Sequence, residues 1–186
     1  TQPVANAGSD ASSTVSSSVS LDGSSSSDSD GDSLTHSWVF SSLATGSSLA
    51  NSDISSANSA TPSFTPDAGG SYVLELTVND GNGGSSTDTV TVTVTKLSTS
   101  VTLTNTTKTY TGAALGVTAT TGVGGLNVGI VYRDSNDVVV PSPTEPGTYT
   151  VTATINDVLY WGTQSGTLTI GKATAEVTLG SLTHTY

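Results

Sequence analysis

The stretch from Tyr72 to Thr95 leaves this chain few choices of fold. Tyr72-Val-Leu74-Glu-Leu76-Thr-Val78 sets a large apolar side chain at every second position, and Thr87 to Thr95 does the same with Val90, Val92 and Val94. A period of two marks a strand with one buried face, because successive side chains leave a pleated backbone on opposite sides. Asn79-Asp80-Gly81-Asn82-Gly83-Gly84 separates the two runs and is dense in turn-forming residues, so the pair reads as a β-hairpin. A hairpin with one apolar face needs a second layer to cover it. Earlier segments offer that layer: Thr14 to Leu21 carries Val15, Val19 and Leu21 among serines, and Leu34 to Phe40 places Leu34, His36, Trp38 and Phe40 on one face. Residues 41–60 read as short strands and loops.

Composition agrees with an all-β chain. Serine and threonine make up about a third of the residues, whereas Lys, Arg, Glu, Gln and Met, the good helix formers, are scarce. Asp and Glu number 15 against 4 Lys and Arg, for a net charge of −11, and no Lys or Arg precedes Lys96. Such a surface repels phosphate backbones and anionic lipid, which argues against nucleic-acid or membrane-surface partners. It suits a medium rich in salt and divalent cations. There is no cysteine, so disulfides and thiolate metal sites are excluded. No apolar run is long enough to span a bilayer, and no export signal is visible, so any such signal is expected outside the given sequence.

At Lys96 the composition shifts from Ser-rich to Thr- and Gly-rich, and a second unit begins. Short strands are expected over Val101–Leu103, Ala113–Ala119, Leu126–Tyr132, Val138–Val140, Thr148–Ile155 and Thr163–Ile170. Two internal repeats organise the whole. Tyr72 to Val78-Asn79-Asp80 aligns with Tyr149 to Ile155-Asn156-Asp157 at one constant offset, so both units are built on one plan. Lys96 to Tyr110 aligns with Lys172 to Tyr186 at a spacing of 76 residues, which reads as a slice of a tandem array. The expected division is 1–95, 96–171 and 172–186, the last being the first strand of a following repeat.

The most charged stretch is Ser24-Ser-Ser-Ser-Asp28-Ser-Asp30-Gly31-Asp32, just before the strand that carries Trp38. Carboxylates this close repel one another unless solvent or a hard cation relieves them. In a sandwich of this plan the loop before the Trp strand, the hairpin at Asp80 and the start of the chain share one end. Oxygen ligands from Asp28, Asp30, Asp32 and Asp80 can then converge on calcium. The spacing is not that of an EF-hand, since Gly31 comes early and Val39 stands where the closing Glu belongs. The competing reading is a solvated turn in which Asp and Gly serve only the backbone. The second unit has Gly122-Val-Gly124-Gly125 in the corresponding loop, so no calcium is expected there.

Several phrases resemble known families. Gly70-Ser71-Tyr72 and Pro146-Gly147-Thr148-Tyr149 look like the tyrosine corner of immunoglobulin-like sandwiches. Pro3-Val-Ala5-Asn-Ala-Gly8, Leu21-Asp22-Gly23-Ser24, Ser26-Ser-Asp28-Ser-Asp30-Gly31-Asp32, Leu34-Thr-His-Ser-Trp38, Pro66-Asp67-Ala68 and Tyr72 through Gly81 together resemble a PKD-type domain. Tyr110-Thr111-Gly112, Asn156-Asp157, Tyr160-Trp161-Gly162 and Gly166-Thr-Leu-Thr-Ile170 before Lys172-Ala173 resemble the MBG repeat of large bacterial adhesins. His36 stands where PKD-type domains more usually carry Tyr. The resemblance implies two tandem immunoglobulin-like β-sandwiches and the first strand of a third repeat, in a bacterial protein that is secreted or held at the cell surface. It also implies calcium between the N-terminal segment Thr1-Gln2 and the loop carrying Asp28 and Asp30, with Gln2 in place of the Asn or Ser found nearby in the family.

Catalysis finds little support. His36 and His184 are the only imidazoles, no Gly-x-Ser-x-Gly elbow occurs, and the acids cluster too tightly for a paired-carboxylate cleft. Trp38 is expected in the core. Trp161 beside Tyr160 either packs within its own domain or is exposed for stacking on a sugar or a neighbouring module. The expectation is a monomeric, non-catalytic spacer of a surface adhesin whose partners are neighbouring repeats of the same chain. The alternative is an accessory module that binds glycan or protein, and it would use Tyr160 and Trp161.

Overall fold

The computed structural model describes residues 1–177. Residues 172–177 carry no strand, and the rest of the repeat expected over 172–186 lies outside the described residues. The strands in chain order are β1 (Ala11–Thr14), β2 (Val19–Ser20), β3 (Thr35–Ser42), β4 (Ser63–Phe64), β5 (Gly70–Asn79), β6 (Ser85–Thr95), β7 (Leu97–Ser98), β8 (Val101–Thr104), β9 (Thr107–Thr109), β10 (Thr118–Thr121), β11 (Val128–Arg133), β12 (Gly147–Ile155), β13 (Tyr160–Trp161) and β14 (Thr163–Gly171). One turn of 3-10 helix, Asn51–Asp53, is the helical element among the described residues. The chain forms two units: Thr1–Ser98 together with Asp157–Trp161, and Thr99–Asn156 together with the chain from Gly162 onward.

In the first unit the main sheet runs β1-β6-β5-β3, with β1 parallel to β6 and the other pairs antiparallel. The period-two pattern of the hairpin lands as expected, with Tyr72, Leu74, Leu76 and Val78 buried on β5 and Val90, Val92 and Val94 buried on β6. Strands β2 and β4 pair and bring Val19 and Phe64 into the same core, where Trp38 is 1 % exposed. The Phe64 ring meets Phe40 edge-on at 5.2 Å and Tyr72 at 5.5 Å, so aromatic contact joins the two layers. The single strand expected over Thr14–Leu21 is instead divided. The chain turns at Ser16, whose φ is 62° and whose N–H donates to Pro66 O at 2.9 Å, and it passes from β6 to β4. Val15 is buried on one side of that crossing and Val19 on the other, so alternation across the break imitates one strand.

The second unit repeats the plan with the sheet β11-β12-β14-β9, in which β9 runs parallel to β14, and the separate pair β10-β8. Tyr132, Tyr149, Val151, Leu168 and Ile170 form its core, with Leu103 packed against them. The strand expected from Ala113 begins only at Thr118. The amides that would start it are used elsewhere, since Leu115 N–H donates to Pro143 O at 2.8 Å and Val117 N–H to the Tyr132 phenol at 3.0 Å. Val138–Val140 is reduced to a single bridge between Arg133 and Val139.

Both tyrosine corners form. The Tyr72 hydroxyl accepts from Ala68 N–H at 3.1 Å and lies 3.0 Å from Ala68 O, and the Tyr149 hydroxyl donates to Glu145 O at 2.9 Å. Each phenol thus ties the start of a core strand to the backbone four residues upstream.

Candidate functional site

The loop between β2 and β3 folds because its side chains take over backbone hydrogen bonding. Asp22 Oδ1 accepts from Ser24 N–H at 2.9 Å, and Asp28 Oδ1 from Asp30 N–H at 2.7 Å. Val4 and Ser27 form an antiparallel bridge, which seats the N-terminal segment along the loop. Asp28, Asp30 and Asp32 each present a carboxylate oxygen, and these oxygens lie within 4.8 Å of one another. Calcium–oxygen distances are about 2.3–2.6 Å, so oxygens across one ion stand roughly 5 Å apart, and this set fits a shared cation. Asp28 Oδ2 is buried with no hydrogen-bond partner. A buried carboxylate oxygen without a partner is costly, and a bound cation would satisfy it.

Asp80 is not among the three residues whose carboxylate oxygens lie within 4.8 Å of one another. It is 7 % exposed, and its Oδ1 accepts from Asn82 N–H at 2.8 Å and Gly84 N–H at 2.9 Å, which closes the β5–β6 hairpin. It also lines a polar cleft of about 520 Å³ with Thr1, Gln2, Asn82 and Ser85. Asn82 was not singled out as a site residue in the sequence, whereas Gln2 was, as part of the N-terminal segment. Asn82 Nδ2 donates to Asp32 Oδ2 at 2.9 Å, and Gln2 Nε2 donates to Ser85 O at 2.6 Å. The Asn82 amide reaches the acidic loop, which only the hairpin pairing reveals, whereas the Gln2 amide ties the N-terminal segment to the start of β6.

Tyr160 and Trp161 form β13, remote in sequence from the acidic loop and counted with the first unit. Trp161 is 54 % exposed. His36 lies half-buried on β3, and His184 lies outside the described residues.

Residues 7–94 match the family model of a PKD domain, and residues 99–174 match that of the MBG domain. The chain is a PKD-like domain followed by an MBG domain. The order is the one expected from the sequence phrases, and both are non-catalytic types of module, typical of extracellular proteins. No curated protein matches the chain. Among solved structures, it is similar to a nucleoside hydrolase-related hypothetical protein from Saccharophagus degradans associated with carbohydrate metabolism, at 29% identity and TM-score 0.43, over 51% of this chain and 26% of that one. It is also similar to the PKD domain of the KIAA 1837 protein, at 32% identity and TM-score 0.40, over 48% of this chain and 83% of that one. A Dscam structure solved to explain isoform specificity matches at 14% identity and TM-score 0.46, over 92% of this chain and 46% of that one. This chain therefore spans about a quarter of the Saccharophagus protein.

Proposed function

We propose that this chain is a non-catalytic spacer segment of a bacterial surface adhesin, outside the cell, and that the acidic loop of its PKD-like domain holds one calcium ion. The observation that carries the calcium reading is Asp28 Oδ2, buried and unpartnered inside a cluster of three carboxylates. An all-carboxylate set suits a hard cation, and irregular loop geometry suits calcium over magnesium, which demands a near-ideal octahedron. Asp28, Asp30 and Asp32 supply the charge, and Asn82 orients Asp32. The ion would cancel the repulsion among the three acids and fix the segment around Val4 against the loop, stiffening that side of the domain. Isothermal titration of the full chain with calcium chloride tests this. One site is expected, weakened at least about tenfold by Asp28→Asn, because loss of one ligand charge costs more than 1.4 kcal/mol. Absence of binding heat, or binding untouched by Asp28→Asn, would contradict it.

Exposure of Trp161 favours a second reading, in which the chain is an accessory module that stacks on a glycan through Trp161 and Tyr160. Quenching of tryptophan emission by soluble polysaccharide, lost in Trp161→Ala, would support that reading instead.

A further inference from the structure

The first unit is not closed by Thr1–Ser98 alone. The chain leaves it at Ser98 and returns at Asp157 with five residues that occupy one edge of it. We propose that the first unit carries a backbone-reading edge, built from Gly46, Gly69, Lys96 and Leu97, and that its occupant is the chain's own stretch Asp157–Trp161. This inference is independent of the calcium reading.

Three successive carbonyls of the stretch each meet a different donor. Lys96 Nζ donates to Asp157 O at 2.5 Å, Gly69 N–H to Val158 O at 2.9 Å, and Leu97 N–H to Leu159 O at 2.8 Å. The stretch then continues as β13, parallel to β7, with Tyr160 beside Leu97 and Trp161 beside Ser98. Consecutive carbonyl satisfaction followed by strand pairing is how an edge receives a peptide, and casual loop contact does not produce it. Leu159 packs against the core cluster that contains Ala44, Ala68 and Tyr72, which adds an apolar anchor to the backbone bonds.

The edge and the occupant are shaped for each other. Gly46 has φ +86°, and a Cβ there would stand 2.7 Å from Val158 Cγ1, so only glycine leaves room for the valine. Within the occupant, Asp157 Oδ1 accepts from Leu159 N–H at 2.8 Å and Tyr160 N–H at 2.9 Å and so holds the stretch in a turn. What the edge recognises is therefore a turn opened by Asp with an aliphatic residue two positions on. Lys96 is central to this recognition, as the first cation in a chain region otherwise without one.

Residue-resolved amide hydrogen exchange on the full 186-residue chain tests the assignment. The amides of Gly69 and Leu97 should exchange at least on the order of 100-fold more slowly than their intrinsic rates. Leu159→Ser and Gly46→Val should each return both amides toward intrinsic rates while Leu76 on β5 stays protected. Gly46→Val sits on the edge itself, so it keeps the test decisive if Leu159→Ser disturbs the core. Intrinsic exchange at both amides in the unmodified chain would overturn the proposal, as would protection that survives both substitutions.

Discussion

Asp80 and Asp157 hold equivalent positions after the core strands β5 and β12, and each uses its Oδ1 to accept two backbone N–H groups of the loop that follows. Asp80 takes Asn82 and Gly84, and Asp157 takes Leu159 and Tyr160. Because Asp157 performs this role with no acidic loop in its own sequence neighbourhood, turn closure is the shared property of the position. Asp80→Ala should therefore lower the stability of the PKD-like domain by about 1–3 kcal/mol, because two backbone amides lose their hydrogen bonds to a buried carboxylate. Asp80→Asn keeps an accepting oxygen and should cost far less. Chemical denaturation of the two variants checks the order.

The two tyrosine corners differ in how much they hold. Tyr72 both accepts from Ala68 N–H and reaches Ala68 O, and it touches the Asp67 carboxylate at 3.1 Å, whereas Tyr149 makes one bond to Glu145 O. Tyr72→Phe should cost about 2 kcal/mol and Tyr149→Phe about 1 kcal/mol, since the first also strands a buried N–H. Urea melts of the full chain measure both.

Asp67 gives the PKD-like domain an acid-sensitive tie. Burial alone would raise its pKa, but the Ser47 hydroxyl, the Ser48 amide and hydroxyl and the Tyr72 phenol together lower it from 3.8 to about 2. A carboxyl depressed in the folded state adds stability that is present above its unfolded value, near 3.8, and is lost as pH falls toward 2. The melting temperature of the native chain should fall across that window. In Asp67→Asn the fall should be shallower, starting from a lower plateau.

Gly23 marks where the loop meets the core. A Cβ at this position would stand 2.8 Å from Leu76 Cδ2 and 2.9 Å from Trp38 Cζ2, both in fully packed surroundings. Gly23→Ala should cost about 1–3 kcal/mol by overpacking. A thermal melt followed through Trp38 emission reads the loss, and an unchanged midpoint would show that the core yields more easily than its packing implies.

Much of this architecture was legible in the sequence, for reasons that can be named. Where one face is buried and the other wet, as from Tyr72 to Val78 and from Val90 to Val94, alternation reports burial directly. Trp38 and the two corner tyrosines were legible because their neighbours fix their roles. The split at Ser16 was hidden because apolar residues continue on both sides of it, and the late start of β10 because Leu115 and Val117 give their amides to Pro143 and Tyr132, partners distant in sequence. At the candidate site the three clustered acids are local and so visible. The reach of Asn82 to Asp32 depends on hairpin register and was not. The pairing of Asp157–Trp161 with Lys96 and Leu97 was equally hidden, since the two stretches are far apart in sequence.

Calcium binding by the acidic loop is read by a thermal melt of the full chain in millimolar calcium and then in chelator, with Asp28→Asn plus Asp30→Asn as control. A ligand at a hundredfold over its dissociation constant adds about 2.7 kcal/mol, a shift of several degrees for a domain of this size. The native chain should show that shift and the double variant none. Identical melting temperatures with calcium and with chelator would contradict it and leave the three aspartates as a solvated turn.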